Sequence, residues 1–272
     1  MAPGVKTRSA SSTRKPPAAS RAETVIYLYA ISRERAADVQ AAGVDGASRI
    51  EALDCSGLVC WISRVSARTF GEELNEHMQN LDWLASAGVR HQQAVAAIAA
   101  NLDILPARFA TIFFSADSLE HHIRSQKAVL RAALDRISGC EEWGVKVYAV
   151  APPQAAAPDA NNPASGRDYL QRKAALLRGR SDRHPADFTE LADEFAAHTR
   201  EAVRLPKQAA QPGLEWQASF LVHRPQREAF LAVATRFAKR WQDRHRIECT
   251  GPWPPYSFVA SLGSEANSGP AQ

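Results

Sequence analysis

The sequence predicts an α+β protein of two domains, and three observations carry that reading. Stretches with apolar residues at spacings of three and four, as on one face of a helix, occur in both halves of the chain. Between them lie short β-branched or aromatic runs, several paired across turn residues as antiparallel strands require. The chain has 272 residues, 45% of them hydrophobic and 23% charged, enough apolar material for two cores. The boundaries read as a disordered basic leader over 1–22, an N-terminal α+β domain over 23–138, a C-terminal domain over 139–262 and a flexible tail over 263–272.

In the first half, Thr24–Ile31 (TVIYLYAI) reads as a buried strand. Ser32 is placed to cap a short helix through Gln40, with Gly43 as its stop. Arg49–Leu53 and Leu58–Val65 follow as strands around a turn at Asp54–Gly57. The best helical pattern lies in Met78–Leu102, where Leu81, Leu84, Gly88, His91, Val95, Ile98 and Leu102 form one stripe and Gly88 points to close helix packing. Pro106 breaks that pattern, and Ile104–Phe114 continues as an extended apolar run. A second helix is expected from about Asp117 to Ser138. Asp117 and Glu120 would form its capping box, Leu119, Ile123, Leu130, Leu134 and Ile137 its buried face, and Gly139 its stop.

The second half opens with an alternating strand at Trp143–Val150 and a Pro/Ala/Asn-rich loop over 152–166. Helical patterns occupy Arg167–Arg178 and Ala186–Val203. Leu214–His223 is an amphipathic strand, and the next helix turns Phe230, Val233, Phe237 and Trp241 inward. Strands at Arg246–Thr250 and Tyr256–Leu262 flank the stiff segment Gly251-Pro252-Trp253-Pro254-Pro255. This order is that of a modified ferredoxin-like domain.

The net charge of +4 belongs to the leader rather than to the body. Lys6, Arg8, Arg14, Lys15 and Arg21 lie in 1–22 with no acid, which leaves 28 basic residues against 29 acidic ones elsewhere. Four cysteines (Cys55, Cys60, Cys140, Cys249) without a C-x-x-C pair read as reduced, half-buried thiols rather than a disulfide framework. No apolar run approaches the ~18–20 residues of a spanning helix.

Catalytic chemistry finds no foothold. The glycine-rich dinucleotide fingerprint, the nucleophile elbow and the H-E-x-x-H zinc motif are all missing from the sequence. Gly139–Lys146 (GCEEWGVK) imitates a phosphate loop, but Val145 separates the second glycine from Lys146, and two glutamates would repel phosphate. His121 and His122 are adjacent on a helix, so their side chains diverge by ~100° and do not share a metal. His91, on the apolar stripe, reads as a core or interface histidine with a satisfied ring nitrogen rather than a catalytic base. Glu72-Glu73 and Glu141-Glu142 read as solvated surface charge. Arg172–His184 is the one body segment basic enough for nucleic acid, but it lacks interleaved aromatics. Catalytic, cofactor and metal residues are therefore assigned as none.

Seven segments together resemble the gas vesicle protein GvpL/GvpF family: YLYAI (27–31), GLVCWISRV (57–65), the LDWL…H stretch (81–91), ILPARFATIF (104–113), EWGVKVYAV (142–150), GRDYLQRK (166–173) and GPWPPYSFV (251–259). Their order spans roughly residues 25–262. Ala110 stands where the family commonly has glycine. The resemblance implies a two-domain α+β fold with a ferredoxin-like C-terminal domain, no enzymatic activity and no cofactor. It implies an accessory role in building gas vesicles, in the cytoplasm and at the vesicle. The partners would be the small hydrophobic shell protein and other accessory proteins, with no nucleic acid, membrane span or small-molecule ligand.

The motif positions carried over are Pro106, Arg108, Phe109 and Thr111, then Trp143, Gly144 and Lys146, then Pro252, Trp253, Pro255 and Tyr256. Most read as structural: Phe109 enters the core, and Lys146 keeps its ammonium wet while its stem packs. Arg108 is either an internal anchor or a partner contact. The Pro-Trp-Pro-Pro-Tyr segment is either a rigid connector or a preformed epitope. Arg108, Trp253 and Tyr256 are the candidate partner-binding residues. The alternative function is a regulatory or nucleic-acid-binding ferredoxin-like protein using the leader and Arg172–His184.

Overall fold

The computed structural model describes residues 23–36, 39–150, 186–206 and 211–259. The leader, the 152–166 loop, the helical pattern Arg167–Arg178, the basic segment Arg172–His184 and the 263–272 tail lie outside the described residues.

Two antiparallel sheets organise the chain. The first holds β1 (Thr24–Ser32), β2 (Glu51–Cys55), β3 (Leu58–Ser66), β4 (Ile104–Pro106) and β5 (Ile112–Phe113), in the order β2-β3-β1-β4 with β5 also paired to β1. A short helix α1 (Leu74–His77) leads into α2 (Leu81–Ala99), and α3 (Ala116–Ile137) follows β5. β1 is apolar without alternation because both of its faces are covered. Val25, Tyr27 and Tyr29 pack with Ala87, His91, Ala94, Val95 and Ile98 of α2. Ile26, Leu28 and Ile31 pack with Leu119, Ile123, Leu130, Leu134 and Ile137 of α3. The β2–β3 turn has both central residues left-handed, Ser56 at φ 51° and Gly57 at φ 77°, the twist that suits a two-residue hairpin.

Several local expectations give way to tertiary packing. Among the described residues of 33–40 there is no helix. Ser32 is instead fully buried at the end of β1, where its Oγ accepts from the Trp61 indole N–H at 2.9 Å and donates to the Glu34 carbonyl at 2.7 Å. α2 is capped by Asn80, whose Oδ1 accepts from the N–H groups of Asp82 and Trp83. Its stripe is rotated from the expected one: Leu81 is 78% exposed, and a Cβ at Gly88 would meet nothing within 4 Å, so no close packing occurs there. Small Ala87 and Ala94 seat the helix on the tyrosines instead. α3 is capped by a Ser115–Ser118 box, one turn-residue pair earlier than Asp117 and Glu120, and Gly139 stops it at φ 69°.

The second sheet holds β6 (Cys140–Ala149), β7 (Glu201–Arg204), β8 (Leu214–His223) and β9 (His245–Trp253) in the order β7-β8-β6-β9, with α4 (Ala186–Ala196) and α5 (Arg227–Trp241). Leu191 and Phe195 of α4 and Phe230, Val233, Phe237 and Trp241 of α5 cover one face, against Trp143, Val145, Val147, Trp216, Phe220 and Val222. The helix expected through Val203 ends at Ala196. Residues Glu201–Arg204 pair with the free edge of β8 instead. Of the strand expected at Tyr256–Leu262, the described residues 256–259 form none: Tyr256–Phe258 is a single 3-10 turn, and Pro254 and Pro255 before it have no N–H to offer a ladder. Phe258 sinks into the core beneath α3 together with Cys140 and Leu221, so one apolar cluster joins the two sheets.

Candidate functional site

The chain from β9 into this turn meets α2, α3 and the starts of β6 and α5 around a cleft of about 280 Å³. Ala96 and Ala99 of α2 with Ala100 at its C-cap form one wall, Pro252–Pro255 another, and Asp103, Glu141, Arg224 and Arg227 the charged floor.

Each charge on that floor is matched. Arg227 donates from Nε and Nη2 to Glu141 Oε1 and Oε2 at 2.6 and 2.5 Å, and the Trp143 indole N–H donates to the same carboxylate at 2.8 Å. Arg224 Nη2 donates to Asp103 Oδ1 at 2.7 Å, while the Gly139 N–H and Ser138 Oγ donate to Oδ2 at 2.9 and 3.2 Å. Burial alone would raise both carboxyl pKa values, but these donors outweigh it and hold both below the ordinary range.

Glu141 and Glu142 are therefore not solvated surface charge: both are buried. Neighbours on a strand point to opposite faces. Glu141 meets Arg227, while Glu142 turns the other way and accepts from the N–H and Oγ of Ser257 at 2.8 and 2.6 Å.

The Pro252–Tyr256 segment is tied down closely. At Gly251, φ 152°, a Cβ would lie 2.8 Å from the Trp143 ring and 2.9 Å from the Glu142 carbonyl, so only glycine admits this approach. Pro254 and Pro255 are buried, while Trp253 stands 52% exposed on the cleft rim. Tyr256 is half-buried, and its hydroxyl lies 3.4 Å from His91 Nε2. His91 Nδ1 is 3.0 Å from the Tyr27 hydroxyl, and burial pushes its pKa down to about 4. It is a neutral core histidine. Burial likewise drives the phenols of Tyr27 and Tyr256 upward.

Of the three candidate partner-binding residues, Trp253 and Tyr256 thus share one anchored segment. Arg108 lies elsewhere: its side chain is exposed and has no hydrogen bond or ion pair among the described residues. The internal-anchor alternative does not hold for it. Only its carbonyl is used, accepting from Thr111 Oγ1 at 2.8 Å. Phe109 beside it, expected in the core, is half-buried and packs against its edge, edge-on to His91. Of the cleft floor the sequence singled out only Glu141, as surface charge; Asp103, Arg224 and Arg227 went unnoticed, because the paired residues lie dozens to more than a hundred positions apart. The one local signal is Arg224 and Arg227, spaced by three at a helix start.

Among the described residues no group of three His, Cys, Asp or Glu side chains is placed to hold a metal ion, and no helix is long and apolar enough to cross a membrane. Cys55, Cys60 and Cys140 are buried and Cys249 half-buried, all as free thiols.

Comparison with known proteins matches residues 25–260 to the family model described as gas vesicle synthesis protein GvpL/GvpF. Gas vesicle protein L of a Streptomyces species is 32% identical over 253 residues, covering 86% of this chain and 92% of the relative. Gas vesicle protein F1 of Halobacterium salinarum is 24% identical over 245 residues, covering 90% and 97%. The crystal structure of gas vesicle protein GvpF from an Anabaena species superposes with a TM-score of 0.64 at 17% identity, over 88% of this chain and 97% of that one.

Proposed function

The chain belongs to the gas vesicle synthesis protein family GvpL/GvpF, and on that premise we propose that it assists vesicle assembly by binding the small hydrophobic shell protein together with other accessory proteins. Membership gives it a role in gas vesicle formation, in a family not known for enzymes. The observation that carries the finer reading is the match across residues 25–260, which includes every element around the cleft. A shell subunit exposes apolar surface before it joins the wall, and a protein that covers that surface keeps it from aggregating. Trp253 is the aromatic anchor of the contact, Tyr256 fixes the segment that presents it, and Arg108 is the polar contact. The protein works in the cytoplasm at the growing vesicle, by binding, without a cofactor.

We assign residues 23–138 and 139–262 to two domains. The left-handed Gly139 between α3 and β6 supports that division. The strand order β7-β8-β6-β9 with α4 and α5 on one face supports a modified ferredoxin-like second domain. The test is a pull-down with purified shell protein at low and high salt, using wild type and folded Trp253→Ala, Tyr256→Ala and Arg108→Ala variants. Binding that survives high salt and weakens in the Trp253 variant is expected. Salt-sensitive retention of DNA or RNA with no shell binding would move the function to nucleic acid.

A further inference from the structure

The two ion pairs on the cleft floor are lopsided, and in the same sense. The carboxylate is the sheltered member of each: the Asp103 side chain is 29% exposed against 47% for Arg224, and Glu141 8% against 44% for Arg227. Both acids are well supplied with donors. Glu141 accepts from Arg227 on both oxygens and from the Trp143 indole, and Asp103 from Arg224, the Gly139 N–H and Ser138. The arginines are not used up. Arg227 commits Nε and Nη2 to Glu141, and Arg224 commits Nη2 to Asp103. A guanidinium has N–H groups on all three nitrogens, so Nη1 of both residues and Nε of Arg224 have no partner among the described residues. The floor sums to zero charge, yet what it still offers is hydrogen-bond donors.

The local chain brings these donors together. Arg224 opens the 3-10 turn Arg224–Gln226 and Arg227 opens α5, so the two side chains are helical neighbours at a spacing of three. They also stand at the positive end of α5, where Gln226 supplies no side-chain cap. The walls on either side carry no charge: alanines at the end of α2, and Pro252–Pro255 with the exposed Trp253. A volume of about 280 Å³ has room for one or two side chains and falls at the low end of the ~300–1,000 Å³ of ligand pockets.

We propose that the cleft takes a single Asp or Glu side chain of a partner protein, its carboxylate on the spare N–H groups of Arg224 and Arg227 and an adjoining apolar residue against Trp253; this rests on the reading that Trp253 meets a partner. Hydrogen-bond polarity selects the occupant. A donor group entering the cleft would find Asp103 and Glu141 already engaged, whereas an acceptor finds unused donors. Among acceptors a carboxylate gains most, because guanidinium groups bind it through paired N–H bonds. The two buried acids lie behind the arginines, so the groups nearest an incoming carboxylate are the cations. A polyanion is disfavoured by the same floor. A duplex brings one phosphate per ~1.7 Å of its axis, and among the described lining residues no cation besides Arg224 and Arg227 meets the second or third. One acid flanked by apolar residues matches a cleft with two free guanidinium edges and uncharged walls.

The test titrates the full-length protein with N-acetyl-Glu-Leu-amide and with its Gln-Leu counterpart, following the Trp253 indole and arginine Nε–H signals by NMR. The glutamate peptide should shift the Trp253 and Arg224 signals, and the glutamine peptide should bind at least about tenfold more weakly. Arg224→Gln should weaken the glutamate peptide by a similar factor. Lys239→Gln, which removes the same charge from an exposed site at the other end of α5, should stay within about twofold of wild type. Thermal melts confirm that both variants fold. Equal binding of the two peptides, or an Arg224→Gln variant that binds like wild type, would overturn the proposal. So would a short single-stranded oligonucleotide that displaces the glutamate peptide from the same signals. A pull-down of purified shell protein separates the two readings. If shell protein binds while the glutamate peptide does not, the carboxylate cleft fails and the shell contact stands. If the peptide binds as expected and shell protein does not, the cleft stands and the shell contact fails.

Discussion

Replacing Arg227 by alanine should cost about 2–3 kcal/mol of folding stability, and the figure follows from the asymmetry of its ion pair. The Glu141 side chain is 8% exposed and that of Arg227 44%. Charge-assisted hydrogen bonds contribute about 1.5–3 kcal/mol each, but the two here share one half-wet guanidinium and do not sum. Breaking a fully buried pair costs about 3–5 kcal/mol, because the remaining charge is left uncompensated. Here the orphan would be Glu141, still holding the Trp143 N–H, which sets the expected value below that range. The reverse change is milder. In Glu141→Gln the freed guanidinium turns to water and the amide oxygen still accepts from Trp143, so about 1 kcal/mol is expected.

Urea unfolding followed by tryptophan fluorescence reads both values. With a slope of about 2 kcal/mol per M, the Arg227→Ala midpoint should fall by roughly 1 M. The sign of the pH dependence gives a second check. The Glu141 carboxyl is held below its ordinary value in the fold, so its contribution is present above the unfolded pKa and lost as pH falls through the folded one. Arg227→Ala should therefore lose stability less steeply than wild type below about pH 4. A cost under ~0.5 kcal/mol, or a larger cost for Glu141→Gln than for Arg227→Ala, would refute the reasoning.

Ala110 sits at φ 63° with its N–H donating to the Tyr27 hydroxyl at 2.9 Å. Relief of left-handed strain outweighs the added freedom of the unfolded chain, so Ala110→Gly should gain about 0.5 kcal/mol, read as a rise in Tm of roughly 1–2 °C. His91 stays neutral in the fold down to about pH 4, whereas the unfolded imidazole takes up its proton near pH 6.5. Stability should accordingly fall as pH drops across that window, and NMR of the His91 ring should give a midpoint near 4, not 6.5. Gly251→Ala drives a Cβ to 2.8 Å from the Trp143 ring; a loss of at least about 2 kcal/mol is expected, and unchanged calorimetric stability would show that the approach relaxes freely.

Elements with strong local patterns were legible: β1, β8, the buried faces of α3 and α5, and the Gly139 stop all stand where their residues alone put them. The failures occur where a distant partner outbids a local preference. Ser32 has the chemistry of a helix cap, but the Trp61 indole claims its oxygen. Residues 201–204 continue a helical pattern, yet the open edge of β8 takes them as a strand. The family motifs pointed to Trp253 and Tyr256, while the cleft floor stayed hidden. Its pairs join Asp103 to Arg224 and Glu141 to Arg227 across sequence distances that no periodicity reports. The Glu141-Glu142 reading failed for a geometric reason, since strand neighbours face opposite ways and each finds its own donor.

That pair of glutamates also holds in place the segment that carries Trp253, the anchor we propose. Ser257 bonds to Glu142, Tyr256 reaches His91, and the carbonyl of Phe258 accepts from Arg136 while its ring lies in the core under α3. Upstream, Gly251 lies flush on Trp143, whose indole bonds to Glu141. Trp253 thus stands between two fastened ends on a chain stiffened by three prolines, and binding need order little beyond its own side chain. Ordering each rotamer-rich interface side chain costs about 0.5–1.5 kcal/mol, so a pre-set aromatic on a rigid strap retains more of its burial energy as affinity than the same residue on a loose loop. Loosening the strap while leaving Trp253 in place, as Ser257→Ala would, should therefore weaken shell binding through the off-rate. The same change would leave the association rate, which depends on the surface presented, close to that of wild type.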